Sequence, residues 1–140
     1  MIVLDTNVTS ELMKPAPSAQ VIEWVRGHRS AELYTTAITV AEIGYGIERL
    51  PNGRRKDALR RAADDIFSTF ADQILAFDAA AARHYGRIVS RRDTTGTPID
   101  GFDAQIASIC RAHDAILATR NIKDFTDSDI SVVDPWSEHP

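Results

Sequence analysis

The 140-residue chain lacks several features that would narrow its class at once. It has one cysteine, Cys110, so no disulfide can form within one chain, and a reducing compartment is expected. No apolar run approaches the length of about 18 residues that a membrane span requires, and no basic segment precedes an apolar stretch at the N-terminus. Linkers, repeats and low-complexity segments are also missing. The sequence therefore predicts a cytoplasmic protein, not bound to a membrane, with one domain over residues 1–140 and Cys110 as a buried small hydrophobe.

The chain also lacks an excess of basic residues. It has 16 Lys and Arg against 20 Asp and Glu, a formal net charge of −4. Proteins that coat nucleic acid usually have the opposite balance, because cations supply the affinity for phosphate. A nucleic-acid enzyme remains compatible with this charge, because carboxylates that bind divalent cations attract phosphate once the cations are in place. The positions of the acidic residues are therefore the informative feature.

Short apolar runs of strand type alternate with helical stretches along the chain. The candidate strands are 2–4, 33–35, 74–77, 115–118 and 131–133. Each is too short for an independent helix, and the helical stretches between them are typical of α/β proteins. The sequence predicts an α/β fold with one sheet of five short strands, mostly parallel.

Residues that favour helix starts precede the helical stretches. Ser18 is predicted to cap the second helix, and Thr39 to open the third. Helix 54–70 is predicted to pair with the third helix as an αα-hairpin. Asp78 and Asp100 are predicted to begin the last two helices.

The strongest site signal is the first strand, which leads directly into Asp5, Thr6 and Asn7. In open α/β sheets, ligands bind in the crevice beyond the carboxyl ends of the strands. Asp5 is therefore the first candidate catalytic residue.

A second strand, 115–118, ends in a similar polar turn that contains Thr119, Asn121 and Asp124. A hydroxyl, an amide and a carboxylate thus recur at another strand end, which favours a shared site. The alternative for Asp124 is a simple turn aspartate, with Phe125 anchoring the turn to the core.

Two further acidic residues lie at helix starts. Glu42 follows Thr39 by three residues, so it can complete a capping box, point into the crevice of Asp5, or do both. Asp100 and Asp103 share the first turn of the last helix. We expect Asp100 to be the N-cap and Asp103 to point along the side that packs on the sheet, where it can act as a ligand.

Four carboxylates in one crevice would repel each other strongly. Two of them about 4 Å apart repel by about 4 kcal/mol at an effective dielectric constant of about 20, so a cation is needed to keep all four ionised. No Cys or His lies at a zinc-like spacing, and oxygen ligands favour Mg²⁺, with Mn²⁺ as a substitute. The candidate catalytic and metal-binding residues are Asp5, Glu42, Asp103 and Asp124.

Four ordered motifs, at residues 2–7, 38–46, 103–107 and 117–125, resemble those of PIN-domain proteins, in particular the VapC and FitB-like toxins of bacterial toxin–antitoxin pairs. The resemblance extends over essentially the whole chain, to residues 133–136. It implies a three-layer α/β/α sandwich and a Mg²⁺- or Mn²⁺-dependent endoribonuclease. It also implies a homodimer in the bacterial cytoplasm and a small VapB- or FitA-like antitoxin that binds DNA and inserts a segment near the active site.

The resemblance also implies residue roles. Asp5, Glu42 and Asp103 correspond to three core acidic positions, and Asp124 to a fourth, more variable one. The residues that match positions holding ligands or water are Thr6, Asn7 and Thr119. Arg120 lies beside the predicted site and is a candidate for contacting phosphate. Hydrolysis of RNA by a metal-activated water is the expected reaction.

Two other functions remain open. A phosphohydrolase could use Asp5 as nucleophile, although it would want an aspartate where Asn7 stands. A non-catalytic, receiver-like metal-binding module would leave Glu42 and Asp103 without a role.

Other candidate surfaces are less specific. Two basic groups could follow an RNA backbone or be ordinary solvated helix faces; they are Arg83, Arg87 and Arg91, and Arg54, Arg55, Lys56, Arg60 and Arg61. Apolar residues of the first helices could contact an antitoxin or a second copy, or belong to the core; they are Leu12, Met13, Val21, Trp24 and Val25. No catalytic role is assigned to the histidines, which do not cluster; they are His28, His84, His113 and His139.

Overall fold

A five-stranded sheet forms the centre of the protein in the computed structural model, which describes residues 1–137. The strands are β1 (Ile2–Leu4), β2 (Leu33–Thr36), β3 (Ile74–Leu75), β4 (Ile116–Ala118) and β5 (Val132–Val133). Their order is β3-β2-β1-β4-β5, and each neighbouring pair is parallel. The predicted sheet is confirmed, with strand ends that differ from the sequence prediction by no more than two residues.

Helices cover both faces of this sheet. They are α1 (Thr6–Leu12), α2 (Ala19–Arg26), α3 (Ala37–Glu48), α4 (Arg54–Phe70), α5 (Ala79–Thr94) and α6 (Gly101–His113). One core cluster joins the sheet to α5 and α6, and a second joins it to α1, α2 and α4. The protein is thus a three-layer α/β/α sandwich. Within the described residues, none of the helices combines the length and apolar character needed to span a membrane.

The central strand β1 shows why both faces are apolar. Val3 packs in the cluster with α5 and α6, whereas Ile2 and Leu4 pack in the cluster with α1, α2 and α4. Successive side chains of a strand point to opposite faces, so a parallel strand that is buried on both sides is apolar throughout. Cys110 is fully buried in the first cluster, as predicted.

The helix starts follow the sequence predictions at Asp78 and Asp100. The Asp78 carboxylate accepts a hydrogen bond from the Ala81 N–H at 3.0 Å. The Asp100 carboxylate accepts from the N–H groups of Phe102 and Asp103, at 3.0 and 3.4 Å. These bonds satisfy backbone donors that a helix leaves free in its first turn.

The predicted start of α3 at Thr39 is wrong. Thr36 is the N-cap, and its hydroxyl accepts from the Thr39 N–H at 3.2 Å. Because Thr39 lies inside the helix, it does not form the capping box with Glu42. Ser18 occupies the N-cap position of α2, but its side chain makes no capping bond. The αα-hairpin of α3 with α4 is confirmed by a small core cluster at their interface.

Candidate active site

Asp5 and Thr119 follow the neighbouring strands β1 and β4 at the same edge of the sheet. The Asp5 N–H donates to the Ala118 carbonyl at 2.9 Å, which continues the strand pairing to the candidate residue. The Asp5 side chain is 5% exposed; its Oδ1 accepts from the Thr6 N–H and its Oδ2 from the Thr119 hydroxyl, both at 2.8 Å. The two polar turns therefore meet, and both oxygens of Asp5 have a fixed direction.

Asn7 links the same two turns. Its Nδ2 donates to the Thr119 hydroxyl at 3.2 Å, and its Oδ1 accepts from the Arg120 N–H at 3.2 Å. The Asn121 N–H also donates to the Thr119 hydroxyl, at 3.1 Å. Thr119 thus accepts from two donors and gives its own proton to Asp5.

Glu42 is brought to this edge by the second turn of α3. Its Oε1 accepts a hydrogen bond from the Thr6 hydroxyl at 2.8 Å. The Thr39 and Thr6 hydroxyl oxygens are 3.0 Å apart, and because Thr6 gives its proton to Glu42, Thr39 is the donor to Thr6. Glu42 is therefore positioned by Thr6 of α1 and not by a capping interaction at the N-terminus of α3.

Asp103 lies in the first turn of α6, where it interacts with the charges of the other carboxylates. Burial, followed by repulsion from Asp5, Asp100, Asp124 and Glu42, raises the pKa of Asp103 from 3.8 to about 7. Within residues 1–137 no donor forms a hydrogen bond with its carboxylate. Asp100 contributes charge, but its side chain is engaged in the cap.

Burial also raises the pKa of Asp5, although the hydrogen bonds from Thr119 and Thr6 oppose this effect. The pKa of Glu42 is raised by burial as well, again against a hydrogen bond from Thr6. Each of these carboxylates is thus less acidic than in water. The largest cause in each case is burial, and repulsion from neighbouring carboxylates adds to it.

The fourth acidic residue, Asp124, is exposed in a 3₁₀ turn, Ile122–Phe125, which we call the Asp124 turn. Phe125 is 2% exposed and anchors this turn in the core, as predicted. Its anchoring role does not conflict with a site role for Asp124, because the Asp124 charge acts on both Asp5 and Asp103.

Sequence reasoning missed Arg92, a buried arginine that holds the Asp124 turn. Its Nη1 donates to the Asp124 carbonyl at 2.6 Å, and its Nε donates to the Thr97 carbonyl and hydroxyl at 2.6 and 3.2 Å. Arg92 is 4% exposed, whereas the adjacent Arg91 is exposed. Helical spacing separates these two arginines, because Arg92 follows Ala81 and Ile88 on the buried face of α5, whereas Arg91 lies on the exposed face.

The donor set fits a hard divalent cation, because the charged groups at this edge are carboxylates whose mutual repulsion a cation would relieve. In the part of the chain that the structure describes, however, no three His, Cys, Asp or Glu side chains are arranged so that they could hold a metal ion as they stand. These residues therefore suit a divalent cation by the chemistry and charge of their oxygen atoms, and not by the present positions of their side chains.

The two basic groups have different environments. On α4, Lys56 is buried and its Nζ donates to the Glu48 carbonyl at 3.0 Å, while Arg60 pairs with the Glu48 carboxylate at 2.8 Å. On α5, Arg83, Arg87 and Arg91 are exposed and form no salt bridge within residues 1–137. The α4 group thus serves the fold in part.

The remaining candidates contribute to packing. Val21 is fully buried, and the other apolar residues of the first helices pack against core clusters; they are Leu12, Met13, Trp24 and Val25. His28 lies against the Trp24 ring, with centroids 4.4 Å apart. His84 and His113 belong to no possible metal group in the described chain, and His139 lies outside the described residues.

Comparison with known proteins identifies this architecture. The PIN domain family model matches residues 2–129. Toxin FitB of Neisseria gonorrhoeae is 38% identical over 99% of this chain and 100% of its own length. VapC ribonuclease Y4jK of Sinorhizobium fredii is 36% identical over 97% of this chain and 98% of its own. The solved structure of FitAB bound to an IR36 DNA fragment contains a chain with a TM-score of 0.91 and 38% identity, covering 100% of this chain and 99% of that one. The chain belongs to the PIN-domain family.

Proposed function

We propose that this protein is an endoribonuclease and the toxin of a toxin–antitoxin pair. Two relatives similar over nearly the whole chain are named a toxin and a VapC ribonuclease. The observation that carries the proposal is the position of Asp5, buried at the end of the central strand and oriented by Thr6 and Thr119. Asp5 also caps the start of α1 through the Thr6 N–H, but an exposed cap would avoid the desolvation cost of burying this charge.

Asp5, Glu42 and Asp103 are the proposed catalytic and metal-binding residues, with Asp124 as a fourth ligand. Mg²⁺ is the proposed cofactor, and Mn²⁺ a substitute, because oxygen ligands favour these ions. When bound, a divalent cation supplies positive charge that makes water more acidic and offsets charge on a phosphate. The raised pKa of all three core carboxylates supports this role, since a cation would offset both the burial and the repulsion that raise it.

The supporting residues position these carboxylates. Thr119 and Thr6 fix the two oxygens of Asp5, and the Thr6 hydroxyl also fixes Glu42. Asn7 ties the turn after β1 to the turn after β4. Arg120 is the proposed phosphate contact. Together these groups give a preorganised acidic centre beside the positive charge of Arg120.

The hydrogen bonds of Asn7 disfavour the phosphohydrolase alternative. That reaction wants an acid–base group two residues after the nucleophile, but both polar atoms of the Asn7 side chain are used to join the turns. A receiver-like module would give no reason for Glu42 and Asp103 to share the edge with Asp5.

The proposed partners are an RNA substrate, a small VapB- or FitA-like antitoxin that also binds DNA, and a second copy of the chain in a homodimer. Support comes from the similarity to a chain in the structure of FitAB bound to DNA. The proposed location is the bacterial cytoplasm, which suits the free thiol of Cys110.

Cleavage of a total-RNA pool by the purified, antitoxin-free protein tests this function. We expect discrete fragments with Mg²⁺ or Mn²⁺, none with chelator, and none from Asp5→Asn, which keeps the shape of the side chain but removes its charge. Asp65→Asn, an exposed change on α4, is the matched control and should cleave at the wild-type rate. Thermal unfolding would verify that each variant folds. Cleavage by folded Asp5→Asn at the wild-type rate would refute the assignment of Asp5.

A further inference from the structure

The guanidinium group of Arg92 is buried without an anionic partner. Its side chain is 4% exposed, and it forms no salt bridge within residues 1–137. All its hydrogen bonds go to uncharged oxygens, namely the Asp124 carbonyl and the carbonyl and hydroxyl of Thr97. Taking a cation out of water is costly, and an ion pair is the usual compensation. Arg92 lacks this compensation, so its burial calls for another explanation.

The explanation is not an effect of the Arg92 charge on the acidic residues. The neighbouring charges that shift the pKa of Asp5, Glu42 and Asp103 are all negative. What distinguishes an arginine is its planar group, in which the N–H donors point in fixed directions. Nε and Nη1 each reach a carbonyl oxygen at 2.6 Å. Arg92 thus fixes the distance between two carbonyl groups.

The first of these carbonyls belongs to the Asp124 turn. The Asp124 N–H donates to the Asn121 carbonyl at 3.0 Å, and its own carbonyl accepts from Arg92. The next residue, Phe125, is buried in the core. The backbone of Asp124 is therefore held at both of its polar atoms, whereas its exposed side chain can still change rotamer to reach a cation.

The second carbonyl belongs to the segment that leads into α6. Thr97 lies shortly before Asp100, the N-cap of α6, and Pro98 between them has a restricted backbone. Asp103 follows in the first turn of the same helix. The bonds of Arg92 to Thr97 therefore act close to the point where α6 begins.

We propose that Arg92 is a positioning residue of the candidate active site. By holding the two carbonyls, it sets the separation between the Asp124 turn and the start of α6, and hence the geometry in which Asp124 and Asp103 bind a divalent cation. Arg92 itself contacts neither the cation nor the RNA. The inference rests on the proposed metal-dependent function and adds to it a residue from outside the acidic cluster.

The first test is the affinity of the RNA-free protein for Mn²⁺, measured from the electron paramagnetic resonance of the free ion. Arg92→Lys keeps the positive charge but cannot reproduce two directed bonds. It should raise the Kd for Mn²⁺ about tenfold, the size of effect typical of groups that orient metal ligands. Arg91→Lys, the same change at the exposed neighbour, should stay within about twofold. Arg92→Met should raise Kd at least as much as Arg92→Lys. Thermal unfolding would verify that each variant is folded at the temperature used.

A double-mutant cycle separates positioning from a general loss of stability. Asp124→Asn and Arg92→Lys together should raise the Kd for Mn²⁺ by clearly less than the product of their separate effects, because both act on the same ligand. Glu42→Gln is the matched control. Glu42 is held by the Thr6 hydroxyl and not by Arg92, so its effect should multiply with that of Arg92→Lys.

Hydrogen exchange of the metal-free protein gives a readout that needs no cation. Arg92→Lys should speed exchange of the Asp124 amide, which is bonded to Asn121 in the turn that Arg92 holds. The Asp5 amide, bonded to the Ala118 carbonyl in the sheet, should exchange at the wild-type rate. An equal increase at both amides would indicate general destabilisation and would overturn the inference.

Two further results would overturn the inference: an unchanged Mn²⁺ affinity in folded Arg92→Lys, or effects of Arg92→Lys and Asp124→Asn that simply multiply. With RNA at saturating Mn²⁺, Arg92→Lys should lower kcat and leave KM within about twofold, since Arg92 does not contact the substrate. The proposed function fails separately. If the wild type binds Mn²⁺ but cleaves no RNA, the ribonuclease proposal is wrong, and the Mn²⁺ measurements still decide the role of Arg92. A wild type that binds no Mn²⁺ would overturn both the proposed cofactor and this inference.

Discussion

Replacing Asp103 with asparagine should stabilise the metal-free protein. Asparagine has the same shape and removes one negative charge from the cluster with Asp5, Glu42 and Asp124. The direction in which stability changes with pH follows from the raised pKa of Asp103. In the unfolded chain Asp103 loses its proton near pH 3.8, and in the folded protein near pH 7. The folded state therefore binds more protons between these values, and the stability of the wild-type protein falls as pH rises through this window.

The size of the effect can be worked from the same shift. A change in pKa from 3.8 to about 7 corresponds to a cost of about 4 kcal/mol for ionising Asp103 in the folded protein, if solvent does not reduce it. Asp103 is only partly buried, so water reduces both the burial cost and the repulsion that raise its pKa, and we expect about 1–2 kcal/mol above pH 7. For a chain of this length, that difference raises Tm by about 3–6 °C.

Thermal unfolding in chelator at pH 4 and pH 8 measures this difference. Asp103→Asn should unfold at the higher temperature at pH 8 and close to the wild-type temperature at pH 4, where the folded state of both proteins is neutral at this position. Asp65→Asn should match the wild type at both values. With Mg²⁺ the order should reverse, because only the wild type keeps all its carboxylates. An Asp103→Asn variant that is less stable than the wild type in chelator at pH 8 would refute the proposed repulsion.

Two further predictions concern the residues that hold the site. Thr119→Val keeps the volume of a fully buried side chain but removes the donor to Asp5; it should lower the free energy of unfolding by about 1–3 kcal/mol in a urea titration. Thr35→Val, which loses one long bond of 3.4 Å, should cost clearly less, and an equal loss would contradict the prediction. Arg92→Met should cost about 1–3 kcal/mol by the same assay, because it removes the hydrogen bonds that the buried guanidinium donates to the Thr97 and Asp124 carbonyls. Exposed Arg91→Met should stay within about 0.5 kcal/mol, and similar losses for both arginines would contradict the role of Arg92.

Much of the fold could be predicted because local patterns determine it. The strand β1 is apolar on both faces, and Asp78 and Asp100 cap helices through bonds to residues within three positions. The predicted start of α3 was wrong because both Thr36 and Thr39 are residues that favour the N-cap position. The choice depends on where β2 ends, and Thr36 is paired with Leu75 in β3. Pairing with a distant strand cannot be read from the local sequence.

The candidate site could be predicted only in part, for a related reason. Asp5 follows a buried strand, and that position alone makes it a candidate. The burial of Arg92 depends on two carbonyl groups from separate loops, at Thr97 and Asp124, which only the fold brings together. The network at Thr119 likewise joins residues more than a hundred positions apart.

The acidic residues of the site differ in how the fold treats their charge. Asp5 is the most buried of them, yet it has two short hydrogen bonds that favour its ionised form. Asp103 has no donor within the described residues and has the pKa of about 7. Without a cation, Asp103 therefore takes up a proton near pH 7, while the hydrogen bonds of Asp5 hold its orientation. A divalent cation that binds here must displace that proton, so metal binding and the protonation of Asp103 are coupled. For this reason a neutral residue at position 103, and not at position 5, is the change expected to stabilise the empty site.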